Sequence, residues 1–130
     1  MELKKTILIV EDDVALRKVL VDKLTAENFE VLEAVDGVDG LHVAFDKHPS
    51  LILLDIFMPR MDGITMLSNL RSRDAWGKHV SVIVLTNSTD AMTIARVSSF
   101  EETDFLIKSE WSLEAIVAKI REKLAHKIAE

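Results

Sequence analysis

The 130-residue chain contains no cysteine, and it has only two prolines and four glycines. The absence of cysteine excludes disulfides, thiolate zinc sites, iron–sulfur clusters and cysteine nucleophiles. The four histidines do not show the HExxH spacing of a zinc site. There is also no low-complexity tract and no Gly/Pro/Ser-rich linker. We therefore expect one domain over residues 1–130, since a typical domain has about 100–150 residues and folds without a covalent staple.

The chain also has little positive charge and no long apolar segment. Its formal net charge is −6, from 16 Lys and Arg against 22 Asp and Glu, which argues against a nucleic-acid-binding surface. The apolar run at residues 7–10 is far shorter than a signal-peptide core or a membrane span of about 20 residues. We expect a cytoplasmic protein that contacts neither nucleic acid nor membrane directly.

Short apolar runs alternate with amphipathic helical patterns five times along the chain. The predicted strands are residues 6–10, 30–34, 51–54, 80–85 and 105–107. The second alternates apolar and polar residues, as an edge strand does, and the helix after the fourth has a poor apolar stripe. Continuous apolar strands separated by helices indicate an α/β fold, with a parallel five-stranded sheet covered on both faces in a doubly wound arrangement.

Chemistry-bearing residues follow four of these strands, at the edge where doubly wound sheets bind ligands. They are Glu11, Asp12 and Asp13 after the first strand, Asp55 after the third, Thr86 after the fourth and Lys108 after the fifth. Each has a simple structural explanation alone: Asp13 suits a helix N-cap, Thr86 a turn and Lys108 a solvated surface. Their joint placement at one edge predicts a functional site.

The charge balance of this edge predicts the ligand. Each like-charge carboxylate pair at about 4 Å costs on the order of 4 kcal/mol at an effective dielectric of 20. Lys108 alone cannot offset Glu11, Asp12 and Asp55, whereas a hard dication can, and oxygen-only ligands favour Mg²⁺ or Mn²⁺ over zinc. Mg²⁺ commonly completes its coordination with a phosphoryl oxygen. The pattern therefore indicates metal-assisted phosphoryl chemistry with a carboxylate nucleophile.

Three other site classes fit less well. A dinucleotide site needs a glycine-rich turn after its first strand, and a flavin site needs hydroxyls and amides there. Haloacid-dehalogenase-type phosphatases carry a second aspartate two positions after the nucleophile, where this chain has Phe57.

Over essentially its whole length, the sequence resembles the receiver domain of two-component response regulators, of the single-domain chemotaxis-regulator type. The resemblance rests on ILIVEDD with Glu11 and Asp12, LILLDIFMPRMDG with Asp55, VIVLTN with Thr86, and DFLIK with Lys108. It implies a flavodoxin-like (βα)5 fold with strand order 2-1-3-4-5, for which a family member is a standard example. It also implies a phosphoprotein of signal transduction rather than an enzyme.

The resemblance assigns a role to each matching position. Asp55 is expected to be the phosphoacceptor. The expected Mg²⁺ ligands are the Asp12 and Asp55 side chains and the Phe57 backbone carbonyl, with Glu11 acting through water. Lys108 and Thr86 are expected to stabilise the phosphoryl oxygens. Thr86 and Phe105 are expected to switch the face formed by the fourth helix, the fifth strand and the last helix.

The sequence departs from the family pattern at a few positions. Ser109 replaces the proline that usually follows Lys108 in a cis peptide, and a non-proline cis bond costs about 2.5–4 kcal/mol, so we predict a trans bond. Phe57, Asn87 and Ser88 occupy positions that tune access to the phosphoacceptor and its dephosphorylation. An apolar Phe57 predicts a long-lived phosphorylated state.

These expectations define a stand-alone receiver without a separate output domain. Its expected partners are a sensor histidine kinase or phosphotransfer protein and a downstream protein target, and it is expected to be a monomer or a phosphorylation-dependent dimer. The alternative is a pseudo-receiver, an interaction module that keeps the fold without phosphotransfer. A Mg²⁺-dependent hydrolase is a more distant third possibility.

Overall fold

The structure, a computed structural model, describes residues 4–87 and 90–129. Five strands form one sheet: β1 (Thr6–Val10), β2 (Glu30–Ala34), β3 (Leu51–Asp55), β4 (Ser81–Thr86) and β5 (Thr103–Ile107). Their order is β2-β1-β3-β4-β5, and every neighbouring pair is parallel. The predicted α/β class and the strand order implied by the resemblance are confirmed, and β2 lies at an edge as its alternating pattern indicated.

Helices connect the strands and cover both faces of the sheet. They are α1 (Val14–Ala26), α2 (Gly37–Lys47), α3 (Gly63–Arg73), α4 (Ala75–His79), α5 (Ala91–Ser98) and α6 (Leu113–Ala129), with a 3₁₀ turn at Lys108–Glu110. The sequence did not predict α4, because five residues make little more than one turn and show no apolar period. The helix predicted after the fourth strand is therefore α5.

The core has two layers, one on each face of the sheet. Alternate residues of a strand point to opposite faces. Accordingly Ile52, Val82 and Val84 pack with α2, α3 and α5 on one side, whereas Leu53 and Ile83 pack with α1 and α6 on the other. All residues of β3 and β4 are buried. The central strands are thus fixed, and their carboxyl ends meet at one edge.

An aspartate begins each of the first five helices. The carboxylates that accept a hydrogen bond from a backbone N–H in the first turn belong to Asp13, Asp36, Asp62, Asp74 and Asp90. Such caps satisfy N–H groups that have no partner within the helix, and each contributes about 1 kcal/mol. The N-cap role predicted for Asp13 is confirmed. Within the described part of the chain, no helix is long and apolar enough to cross a bilayer.

Candidate functional site

The carboxyl ends of β1, β3 and β5 bring four of the predicted residues, Glu11, Asp12, Asp55 and Lys108, to one pocket, and Thr86 ends the neighbouring strand β4. Carboxylate oxygens of Glu11, Asp12 and Asp55 lie within 4.8 Å of one another. Glu11 and Asp55 are buried, with 2% and 8% of their surface exposed, whereas Asp12 is exposed. The structure thus brings together the acidic residues that the sequence assigned to two segments of one site.

Lys108 reaches this pocket from the end of β5. Its Nζ lies 2.9 Å from Glu11 Oε1 and 3.3 Å from Asp55 Oδ1. Burial raises the pKa of Glu11 to about 7, the Lys108 hydrogen bond opposes this rise, and the Asp55 charge adds to it. Burial alone would lower the pKa of Lys108, but its contacts with the two carboxylates raise it. The ammonium is therefore held in place, yet it leaves an excess of negative charge.

The two oxygens of Asp55 have different surroundings. Oδ1 accepts a hydrogen bond of 2.9 Å from the Ile56 N–H and faces Lys108. Among the residues that the structure describes, none donates a hydrogen bond to Oδ2. Oδ2 is thus the oxygen that can attack an incoming electrophile.

The loop after Asp55 has a shape that depends on Gly63. The Gly63 N–H donates a 2.7 Å hydrogen bond to the Ile56 carbonyl, and a Cβ at position 63 would overlap the Asp55 backbone carbonyl. This close approach brings the first turn of α3 back against the end of β3. The Phe57 side chain stands outside the loop, 63% exposed.

Two arginines that the sequence analysis did not single out hold the acidic segments. Arg17 on α1 donates a 2.7 Å hydrogen bond to the Glu11 carbonyl and a 3.1 Å hydrogen bond to Glu33 in β2. Arg60 pairs with the carboxylate of Asp36 at 2.6 Å. No sequence motif predicts the distance along the chain between each arginine and the groups that it contacts, so these contacts are evident only in the folded structure.

The two predicted switch residues lie on neighbouring strands. Phe105 is aligned with Val84, and Thr86 is one full pleat further along β4 on the same face of the sheet. Thr86 is buried, whereas Phe105 is partly buried against the core. Asn87 is exposed at the end of β4, and Ser88 lies outside the described residues.

The peptide between Lys108 and Ser109 is trans, as predicted, and the described chain contains no cis peptide bond. Lys108 still reaches Asp55 without the family's proline. A 3₁₀ turn at Lys108–Glu110 follows β5 and leads to Trp111.

The donors in this pocket fit a small, hard divalent cation. All candidate ligand atoms are oxygens, and their mutual distances allow one ion to contact all three carboxylates. Mg²⁺ and Mn²⁺ prefer such ligands, whereas zinc and copper favour histidine and cysteine. An acidic cluster with one lysine and one buried hydroxyl can therefore support phosphoryl chemistry.

Comparisons with known proteins agree with this geometry. Residues 7–121 match the response regulator receiver domain family. A protein named probable transcriptional regulator ycf27 from Cyanophora paradoxa is 32% identical over 123 residues, which cover 93% of this chain and 48% of the relative. Response regulator PleD from Caulobacter vibrioides is 42% identical over 80 residues, 62% of this chain and 17% of that protein. The chain thus spans half or less of the length of these curated relatives.

Solved structures show the same fold. A CheY-like response regulator receiver domain protein from Methanospirillum hungatei has a TM-score of 0.88 and 25% identity, with 98% of both chains covered. The chemotaxis response regulator CheY4 of Vibrio cholerae has a TM-score of 0.84 and 22% identity, covering 93% of this chain and 99% of that one, a likeness of fold. With the family match over most of its length, the chain belongs to the response regulator receiver domain family.

Proposed function

We propose that Asp55 accepts a phosphoryl group from a phosphohistidine of a sensor histidine kinase or a phosphotransfer protein. The observation that supports this most directly is the pocket itself, in which Lys108 and the Ile56 N–H hold Asp55 Oδ1 and no described residue donates a hydrogen bond to Oδ2. Oδ2 forms the new bond to phosphorus as the phosphorus–nitrogen bond breaks. The departing electron pair returns to the imidazole of the donor.

We propose a Mg²⁺ or Mn²⁺ ion as the cofactor of this transfer. Asp12, Asp55 and the Phe57 backbone carbonyl would hold it, and Glu11 would act through water. When bound, the ion supplies the positive charge that the lone ammonium cannot, and it neutralises charge on the phosphoryl oxygens. The excess of carboxylates at the strand ends supports this assignment.

Lys108 and Thr86 are proposed to bind the phosphoryl oxygens. Lys108 already contacts Asp55 Oδ1, so its Nζ needs only a small movement to donate to a new oxygen on the same carboxylate. Phosphorylation adds up to about two negative charges and strong acceptors. The Thr86 hydroxyl gains a charge-assisted hydrogen bond by moving towards them.

The signal is proposed to leave through the surface of α5, β5 and α6. A shift of Thr86 vacates space on the face of the sheet that it shares with Phe105, and the Phe105 ring can fill that space. Phosphorylation would then shift the population between two packings of this surface. Phe105, Trp111 and Lys119 line a cleft of about 410 Å³ on this surface. α5 is suited to move, because Val97 is its one fully buried side chain.

We propose that this surface contacts a downstream protein and that the receiver domain acts in the cytoplasm without itself contacting nucleic acid or membrane. A monomer, or a dimer formed on phosphorylation, is compatible with an output surface at the β5 edge of the sheet. Size-exclusion chromatography with and without the phosphoryl donor distinguishes the two.

The test is incubation with Mg²⁺ and acetyl phosphate, followed by intact-mass measurement. We expect the mass of one phosphoryl group, labile to hydrolysis, in the wild-type protein and none in Asp55→Asn. A wild-type protein that binds Mg²⁺ but gains no mass, and gains none from a phosphorylated histidine kinase domain either, would indicate a pseudo-receiver. Sustained release of phosphate would indicate a hydrolase.

A further inference from the structure

The carboxylate of Asp36 makes three contacts at the start of α2. Oδ1 accepts a 2.9 Å hydrogen bond from the Asp39 N–H, and Arg60 binds both oxygens, Nε to Oδ2 at 2.6 Å and Nη2 to Oδ1 at 3.2 Å. Asp36 is only 3% exposed. A carboxylate this buried needs charge-assisted partners, and a two-pronged contact with a guanidinium fixes direction as well as distance.

Arg60 is at the apex of the loop that runs from Asp55 to Gly63. Its φ of 63° places it in the left-handed region, so the backbone turns sharply at this residue. Its neighbour Met61 accepts a 3.0 Å hydrogen bond from the Gly37 N–H through its backbone carbonyl. A side chain and a backbone contact therefore tie the same apex to the first residues of α2.

The end of β2, just before Asp36, also contacts the segment that carries Glu11 and Asp12. The Glu11 N–H donates a 3.0 Å hydrogen bond to the Ala34 carbonyl, and Arg17 joins the Glu11 carbonyl to Glu33. Residues 33–37 thus contact both segments that carry the pocket's acids, although neither Glu33 nor Asp36 belongs to the carboxylate cluster.

We propose that Arg60 is a positioning residue of the metal pocket, which holds residues 56–62 against α2 through Asp36 and thereby orders the Phe57 carbonyl for the cation. This inference rests on the proposed function and adds a residue to it. Groups that orient metal ligands contribute to metal affinity without contacting the metal, and their loss commonly weakens binding about 10–100-fold. A tie three residues from the ligand belongs at the lower end of that range.

The sign of the effect separates positioning from simple charge. Arg60 is a cation, so its removal leaves the surface more negative and, through Coulomb attraction, would tighten Mg²⁺ binding slightly. If Arg60 orders the loop, its removal weakens Mg²⁺ binding instead. The two explanations therefore predict opposite changes in the same measured constant.

The experiment compares Arg60→Ala with Arg121→Ala as a matched control. Both arginines are about half exposed and each pairs with one carboxylate, at 2.6 Å for Arg60 and 3.0 Å for Arg121, whose partner Glu27 is remote from the pocket in the fold. The Mg²⁺ dissociation constant is measured by NMR shift titration of the full chain. We expect a rise of about tenfold in Arg60→Ala, a smaller rise in Arg60→Lys, and no rise in Arg121→Ala.

A second readout needs no metal. Hydrogen exchange of the Gly37 amide, measured in the metal-free protein, is expected to be faster in Arg60→Ala and unchanged in Arg121→Ala. Unchanged Gly37 exchange, or Mg²⁺ binding that is unchanged or tighter in Arg60→Ala, would overturn the positioning role while the proposed phosphoacceptor stands. A wild-type protein that binds no Mg²⁺ and takes no phosphoryl group would overturn both.

Discussion

At the scale of single residues, identical side chains do different work because their surroundings differ. The carboxylates of Asp13 and Asp62 accept hydrogen bonds from backbone N–H groups at the start of a helix, so they are less available to bind a ligand. Asp55 has one oxygen held by Lys108 and the Ile56 N–H and the other without a hydrogen-bond donor among the described residues, and Asp12 beside it is exposed to solvent. Burial and hydrogen bonding, rather than residue type, distinguish the structural aspartates from those available for chemistry.

Phe57 offers a direct test of the lifetime of the proposed phosphoryl group on Asp55. Its exposed ring has no group that can hydrogen-bond and orient a water molecule next to Asp55. We expect Phe57→Asn to lose the phosphoryl group several-fold faster after the donor is removed, because an amide can hold the attacking water. Intact mass followed over time gives the rate. Phe57→Leu is the matched control and should stay slow, and equal rates in the two variants would contradict this role.

Residue-level chemistry was predictable only where it follows the strand pattern. Asp55, Thr86 and Lys108 each follow an apolar run, so a parallel sheet brings them to one edge. The Arg60 contact with Asp36 spans 24 residues between two loops and leaves no periodic trace. The shared contact of Lys108 with Glu11 was also missed, because a flexible lysine chooses its partner by local packing.

At the scale of elements, the pocket depends on how closely α3 approaches β3. There is no room for a side chain at position 63, because a Cβ there would overlap the Asp55 carbonyl oxygen and lie 2.9 Å from Ile56 Cα. Neither group can move without shifting Asp55. The loop geometry is therefore a property of the junction between a strand and a helix, and not of the loop residues alone.

Gly63→Ala should consequently lower stability and disturb the pocket together. Forcing atoms into a packed region costs about 1–3 kcal/mol, and here the strain falls on Asp55. We expect a lower urea midpoint and weaker Mg²⁺ binding, measured on the same preparation.

Gly40→Ala is the matched control for this effect. A Cβ at position 40 would lie 2.8 Å from Met66 Sδ and 3.1 Å from Val10 Cγ1, and it would meet no backbone atom among these nearest neighbours; the unbranched Met66 side chain can move aside, and Val10 needs to shift by only a few tenths of an ångström. Alanine also gains about 0.5–1 kcal/mol over glycine inside a helix. We expect little change in the urea midpoint and none in Mg²⁺ affinity, and equal losses in both variants would refute the junction argument.

Element prediction succeeded for the apolar strands and for the alternating strand β2, and it missed α4 and the polar start of β5. The central strands are buried on both faces, so nearly every residue is apolar and their positions are evident from sequence. β5 begins at Thr103, two residues before its predicted start, because its first two residues are polar at a partly exposed edge. α4 escaped prediction for lack of length.

At the scale of the whole molecule, part of the negative charge of the chain is concentrated at one site, where mutual repulsion makes it unfavourable. A net charge of −6 disfavours the compact state through self-repulsion. In addition, three carboxylates converge at the carboxyl-terminal edge of the sheet, where the Lys108 ammonium contacts only two of them. The remaining stability of the fold comes from the two apolar layers. Metal binding is therefore expected to relieve a cost that the fold carries without it.

Asp12→Asn should reverse its rank against the wild type when Mg²⁺ is added. In EDTA we expect the variant to be more stable by about 1 kcal/mol, because one exposed like charge is gone from the cluster. At a Mg²⁺ concentration of 100 times the dissociation constant, the wild type gains about 2.7 kcal/mol, and a variant lacking a ligand gains far less. Urea unfolding under both conditions measures this difference in stability.

Asp13→Asn is the matched control. It removes the same charge one residue along the chain and keeps the helix cap, since Asn and Asp cap equally well, and it should retain the Mg²⁺ response. If Asp12→Asn gains as much from Mg²⁺ as Asp13→Asn, position 12 is not a ligand.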